Sequence, residues 1–171
     1  MTASRPSSLL RECRAIRTLT LPGLIRLVTE IDDNGPISRQ RGSLQGALGD
    51  LTTGQLRHAI DTARDLGLIH ARGHALARYQ LTTSGKDLAE VYDTAARWAR
   101  TRQLPSRTSD FVARVQHALQ MQDGGPEHPG AASEPSAPHE ALSDWLKANP
   151  HALRQDVAYS SHAAQESGRA A

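Results

Sequence analysis

Residues 52–66 read TTGQLRHAIDTARDL, with Leu56, Ala59, Ile60 and Ala63 at helical spacing. That spacing leaves Thr53, Gln55, Arg57, His58, Asp61 and Arg64 on the polar side of one helix. Gln55 and Arg57 carry forks suited to base edges. A glutamine amide matches the N6/N7 edge of adenine, and a guanidinium matches the O6/N7 edge of guanine. The groups on Thr53 and His58 serve base edges or backbone oxygens, and Arg64 suits a phosphate. The bland alternative is a helix face that meets only water. Asp61 is the odd member: it either accepts a cytosine amino group or pairs with Arg57 or Arg64 along the helix.

Further basic residues flank this stretch. Arg39 and Arg41 precede it, at the expected start of another helix whose first amides also favour a phosphate. Arg72, His74 and Arg78 follow it around Gly73, where each has a phosphate or plain solvent as its partner. Cys13 is the only thiol, which excludes an internal disulfide and a multi-cysteine metal site. It is a candidate redox residue with Arg14 and Arg17 nearby, or else a packed member of the Leu9 to Ile16 stripe. Catalysis is not expected. The eight histidines form no H-E-x-x-H motif, and neither a P-loop nor a G-x-G-x-x-G is present. No catalytic residue, metal or cofactor is therefore assigned.

Positioning such residues takes a particular set of elements. Leu9, Leu10, Cys13 and Ile16 give an arginine-rich helix over 8–20, and Pro22 opens a second one carrying Leu24, Ile25, Leu27, Val28 and Ile31. Asn34-Gly35-Pro36 stops it. Ile37 is a single extended residue, Ser38 caps a helix over 39–48, and Gly49-Asp50 turns the chain into the 52–66 helix capped by Thr52. The period then changes: 68–71 and 77–81 are short strands around Arg72-Gly73-His74. Thr82 or Thr83 caps a long helix over 84–102, with Leu88, Val91, Tyr92, Ala95 and Trp98 or Ala99 inward. Ser109 or Asp110 caps a last helix with Phe111, Val112, Val115, Ala118 and Leu119 on one side. That stripe and the first helix are expected to form a dimer surface. The order predicts a mainly α protein with a small β-hairpin wing: a winged helix-turn-helix, flanking dimerisation helices and a disordered C-terminal tail.

The net charge of +2 over 171 residues hides an asymmetry. Residues 1–122 hold 17 Lys+Arg against 11 Asp+Glu, and residues 123–171 hold 3 against 7. A basic body and an acidic tail follow. Pro, Gly, Ser and Ala dominate from Asp123 onward, so 123–171 reads as a disordered acidic linker, with one short helix at 139–148 around Leu142, Trp145 and Leu146. No apolar run approaches the roughly 18 residues that span a bilayer. The first 20 positions carry four arginines and no apolar core of a signal peptide, so a cytoplasmic protein without a membrane partner is expected.

Several of these residues form a familiar pattern: Leu44, Leu48, Leu51, Thr52, Leu56 and Ile60, then Gly67-Leu68-Ile69, then Arg78-Tyr79-Gln80-Leu81-Thr82-x-x-Gly85-x-x-Leu88-x-x-Val91, and finally Trp98-Ala99. The pattern resembles the HxlR-type winged-helix transcriptional regulators and covers roughly residues 9–105; MarR-type and PadR-type winged helices use a similar L-T-x-x-G. Tyr79 and Leu81 would pack the wing strand, Thr82 would cap, and Gly85 would let the next helix start close to the sheet. The G-K-W segment common in that family is absent, since this chain reads Thr20-Leu21-Pro22-Gly23-Leu24. The resemblance implies a dimeric, cytoplasmic, sequence-specific regulator. Double-stranded DNA is the partner, a palindromic operator the site, with the 52–66 helix in the major groove and the 68–81 wing alongside. A small-molecule effector is compatible with this class, although no residue pattern names one. A competing expectation is a winged-helix interaction module that does not bind DNA and docks on a protein through the tail residues 142–146.

Overall fold

The computed structural model describes residues 5–72, 77–121 and 137–154. The order is α1 (Arg5–Leu19), α2 (Pro22–Asn34), β1 (Ile37–Ser38), α3 (Arg41–Ala47), α4 (Thr53–Asp65), β2 (Ile69–Arg72), β3 (Arg78–Leu81), α5 (Thr83–Thr101), α6 (Phe111–Gln120), α7 (Ala137–Ala148) and a 3-10 turn, Pro150–Leu153. The protein is mainly helical, with one small antiparallel sheet of strand order β1-β3-β2. Among the described residues no helix is long and apolar enough to cross a membrane.

α2 follows its pattern closely. Pro22 occupies the first turn, where no backbone donor is needed, and Leu24, Ile25, Leu27, Val28 and Ile31 are buried. Gly35 ends the helix at φ 80, with its amide on the Ile31 carbonyl. The next segment departs from expectation. Ile37 is not an isolated extended residue: Ile37 pairs with Tyr79 and Ser38 with Arg78, so β1 is the sheet's third strand. Ser38 is therefore not the cap of α3, which begins later, at Arg41, after Gln40. Two residues are too few to display the alternation by which a strand is read from sequence.

β3 lies in the middle of the sheet, with Ile69 opposite Leu81 and Ala71 opposite Tyr79. Ile69, Tyr79 and Leu81 are buried on the body. Thr82 joins sheet to helix: its hydroxyl donates to the Gly67 carbonyl at 2.6 Å and accepts from the Gly85 amide at 3.2 Å. A Cβ on Gly85 would stand inside van der Waals contact of the Leu68 carbonyl oxygen. α5 buries Leu88, Val91, Tyr92, Ala95 and Ala99 as its pattern predicts, and Ala89 and Ala96 as well. The extra burial has a plain origin, because α2, α6 and α7 all pack on this helix.

Two expectations about the C-terminal helices are corrected. Val115, Ala118 and Leu119 of α6 are buried within the chain, not held out for a second copy. The helix is fastened by its glutamines: Gln116 Nε2 donates to the Thr20 carbonyl and Gln120 Nε2 to the Thr20 hydroxyl, each at 2.8 Å. The short helix expected at 139–148 is present as α7, but residues 137–154 are not part of a disordered tail: they fold onto the body. Leu142, Trp145 and Leu146 of α7 are 2%, 4% and 4% exposed, so the face offered above to a protein partner is already covered. Trp145 Nε1 donates to the Ser84 carbonyl at 2.9 Å, and the Ser84 hydroxyl donates to Asn149 Oδ1 at 2.6 Å. His151 Nε2 lies 2.9 Å from the Leu66 carbonyl oxygen. Local composition failed here because the surface that stabilises α7 belongs to α5, some 60 residues earlier in the chain. The tail assignment otherwise, at 123–136 and 155–171, lies outside the described residues.

Candidate functional site

α4 starts on a complete capping box. The Thr52 hydroxyl accepts from the Gln55 amide at 3.2 Å, and Gln55 Oε1 accepts from the Thr52 amide at 2.9 Å. The bond has a consequence for recognition: it folds the Gln55 amide back onto the start of its own helix, so a two-point contact with adenine would compete with the cap. At 3.6 residues per turn, Gln55 also falls on the flank shared with buried Thr62, toward α2; a Cβ on Gly23 of α2 would lie 3.4 Å from the Gln55 carbonyl. The structure thus makes Gln55 a helix-starting residue.

The side of α4 opposite buried Ala59 and Ala63 carries Arg57, Asp61 and Arg64, all exposed. These three line an open cleft of about 240 Å³ together with Arg39, Gln45, Thr53 and Tyr79, above a floor of Leu44, Leu56 and Ile60. α3 supplies one wall. Gln45 Nε2 donates to the Thr53 hydroxyl at 3.0 Å, tying the end of α3 to the first turn of α4. The sheet supplies the other. Arg39 lies between β1 and α3, not in the first turn of α3; its amide donates to the Ala77 carbonyl at 3.1 Å, and its guanidinium sits 5.6 Å from the centre of the Tyr79 ring. Three guanidiniums and one carboxylate therefore share the cleft, a surface suited to a polyanion.

The structure brings Arg39, Thr53, Arg57 and Arg64 together and places the rest nearby or apart. His58 is half-buried on the flank of α4. Arg41 is the first residue of α3. Arg72 and Arg78 are register partners at the end of the hairpin, and Arg78 is exposed. His74 lies outside the described residues. Cys13 is half-buried on α1. Gln45 and Tyr79 belong to the cleft although sequence reasoning did not assign them to a site. Gln45 is legible only once α3 is known to end beside the first turn of α4, and Tyr79 only once β1 draws Arg39 across the sheet.

A larger groove of about 660 Å³ runs between α1 and α7, but Glu12, Glu140 and Asp144 outnumber Lys147 along it, so its charge disfavours phosphate. Against known proteins, the chain matches no family model, no curated protein and no solved structure.

Proposed function

We propose that this chain is a sequence-specific, duplex-DNA-binding transcriptional regulator of winged-helix type, akin to the HxlR-type regulators its sequence resembles. The observation that carries the reading is the exposed guanidinium face of α4, built opposite the core and flanked by α3 and the β2–β3 hairpin. α4 has 13 residues and is thus about 20 Å long, a rod that enters a major groove about 12 Å wide. In this reading α3 crosses the phosphate backbone, α4 meets the base edges, and the hairpin with Arg72 and Arg78 lies alongside. The strand order β1-β3-β2 around the helix pair supports the winged-helix assignment.

The regulator acts in the cytoplasm, has no catalytic role and binds as a homodimer to a two-fold symmetric site. With the α6 stripe spent inside the chain, pairing falls to α1, where Leu9 and Leu10 are 62% and 61% exposed. Replacing both leucines by glutamate yields a folded monomer with weakened operator binding; a variant that sediments like the wild type removes α1 from the pairing.

The decisive experiment is binding to random-sequence duplex across a range of salt, followed by selection of bound sites from a random library. Several phosphate contacts give a steep fall of log K with log salt. A slope near zero rejects DNA binding, and a selected motif lacking two-fold symmetry rejects the dimer.

A further inference from the structure

Asp61 stands in the middle of the surface on which a regulator of this kind would meet DNA, exposed and directly opposite buried Ala59 and Ala63. A carboxylate there is repelled by every phosphate it approaches, so a face that served only for backbone contact would be better without it. A carboxylate is favourable on such a face where it finds a donor, and in the major groove the donors are the exocyclic amino groups of cytosine and adenine. Arg57 precedes it by one helical turn, at the spacing that puts two side chains side by side.

A second observation concerns how closely this ridge can be approached. Gly54 continues the line of Arg57 and Asp61 toward the start of α4, and a Cβ placed on it would meet nothing within 4 Å. Gly42 and Gly46, on the side of α3 opposite buried Leu44, are equally unobstructed. Glycine in a helix costs stability relative to alanine, and no packing contact inside the chain requires it at these positions. The side-chain-free strip lets another backbone come close, which is what a carboxylate as short as aspartate needs to reach a base edge.

We propose that α4 reads DNA through Arg57 and Asp61: Arg57 donates to guanine O6 and N7, and Asp61 accepts from the N4 amino group of a neighbouring cytosine, while Gln55 reads nothing. Gly54 provides the clearance. Asp61 is then a specificity-determining residue that works in two directions, rewarding cytosine and rejecting unspecific backbone contact. The inference rests on the DNA-binding reading above, and its own failure is separable from that one.

The test combines site selection with duplex binding for the full chain and four variants. Wild type selects half-sites with a guanine and a cytosine at neighbouring positions. Asp61→Asn lowers discrimination at the cytosine about tenfold or more and tightens binding to random duplex. Arg57→Ala lowers discrimination at the guanine by a similar factor. Gln55→Ala lowers the melting temperature and leaves the preferred bases unchanged. Gly54→Ala raises the melting temperature yet weakens operator binding, a split that a purely structural role does not produce. An unchanged base preference in Asp61→Asn, or a changed one in Gln55→Ala, overturns the assignment while DNA binding stands. Loss of all salt-dependent duplex binding in the wild type overturns both.

Discussion

The phenol of Tyr92 on α5 donates to the carbonyl oxygen of Leu19 at 2.5 Å, and neither residue has exposed surface. Leu19 is the last residue of α1, and the final carbonyls of a helix have no partner within it. Exposed carbonyls of this kind bond to water. This one is buried at the α1–α2 corner, so a side chain from another helix must satisfy it. Tyr92→Phe leaves the acceptor unpaired in an otherwise unchanged core and should cost about 1–3 kcal/mol in denaturant unfolding at neutral pH.

The same contact sets a pH dependence. Burial pushes the ionisation of Tyr92 well above its ordinary value near 10. Because the folded value is raised, the protonated phenol stabilises the fold fully below about pH 10, and that contribution is lost as pH rises from there toward the folded value. Wild-type stability should therefore fall more steeply above pH 10 than that of Tyr92→Phe, and parallel curves would contradict the assignment.

Gly85 is demanded by space and not by dihedral angle. It has no positive φ, but a methyl group there collides with the Leu68 carbonyl, a backbone atom that cannot rotate away. Gly85→Ala must push α5 off the sheet or shift Leu68 and should cost at least about 2 kcal/mol. Helix propensity alone would make alanine stabilising. Thermal unfolding thus decides by sign: a raised melting temperature would mean the approach of α5 to the sheet is not tight.

Trp145 tests whether α7 belongs to the core. Its indole is 4% exposed and its Nε1 donates to Ser84 at the start of α5. Trp145→Ala should cost about 3–5 kcal/mol, in the range for a large buried aromatic side chain. Deleting the chain after Met121 should do more damage still, since Leu142 and Leu146 leave as well. If residues beyond 121 were ballast, the truncated chain would melt at the wild-type temperature.

What was legible in the sequence follows from how local its cause is. Thr52 is legible as a cap, as is one of Thr82 and Thr83 and one of Ser109 and Asp110; the structure selects Thr82 and Asp110, and each of the three makes its bond within three residues. The apolar stripes of α2 and α5 were legible for the same reason. β1 was not, because two residues carry no period, and its evidence lies in Tyr79 and Arg78, some 40 residues on. Leu142, Trp145 and Leu146 stand out as an apolar island, yet nothing nearby in the chain says that α5, with Ser84 at its start, is their partner. At the cleft, arginine positions on α4 could be read from periodicity. The engagement of Gln55 could not, because an exposed first-turn glutamine suits a base edge and a capping box equally well until the geometry is known.

Arg26 and Asp50 link α2 to the turn before α4 through two bonds, Nε to Oδ2 at 2.9 Å and Nη2 to Oδ1 at 3.2 Å. The hydrogen bond from Arg26 holds the Asp50 carboxyl below its usual range, and the same bond raises the Arg26 guanidinium. Their side chains are 32% and 53% exposed, so water and salt screen the pair and it is worth no more than about 1 kcal/mol. For a depressed carboxylate the stabilisation is present above the unfolded value near 4 and is lost as pH falls through the lower folded value. Asp50→Asn should therefore be slightly less stable than wild type at pH 7 in low salt, closer to it in high salt, and equal to it near pH 2. Asp32 carries the opposite sign. Burial, with Asp33 and Asp93 adding to it, raises its carboxyl, so its charge opposes folding at neutral pH and Asp32→Asn should be neutral or stabilising there. Measured side by side at neutral pH, Asp50→Asn should lose stability and Asp32→Asn should not. A loss from Asp32→Asn as large as that from Asp50→Asn would contradict the charge environment described for α2.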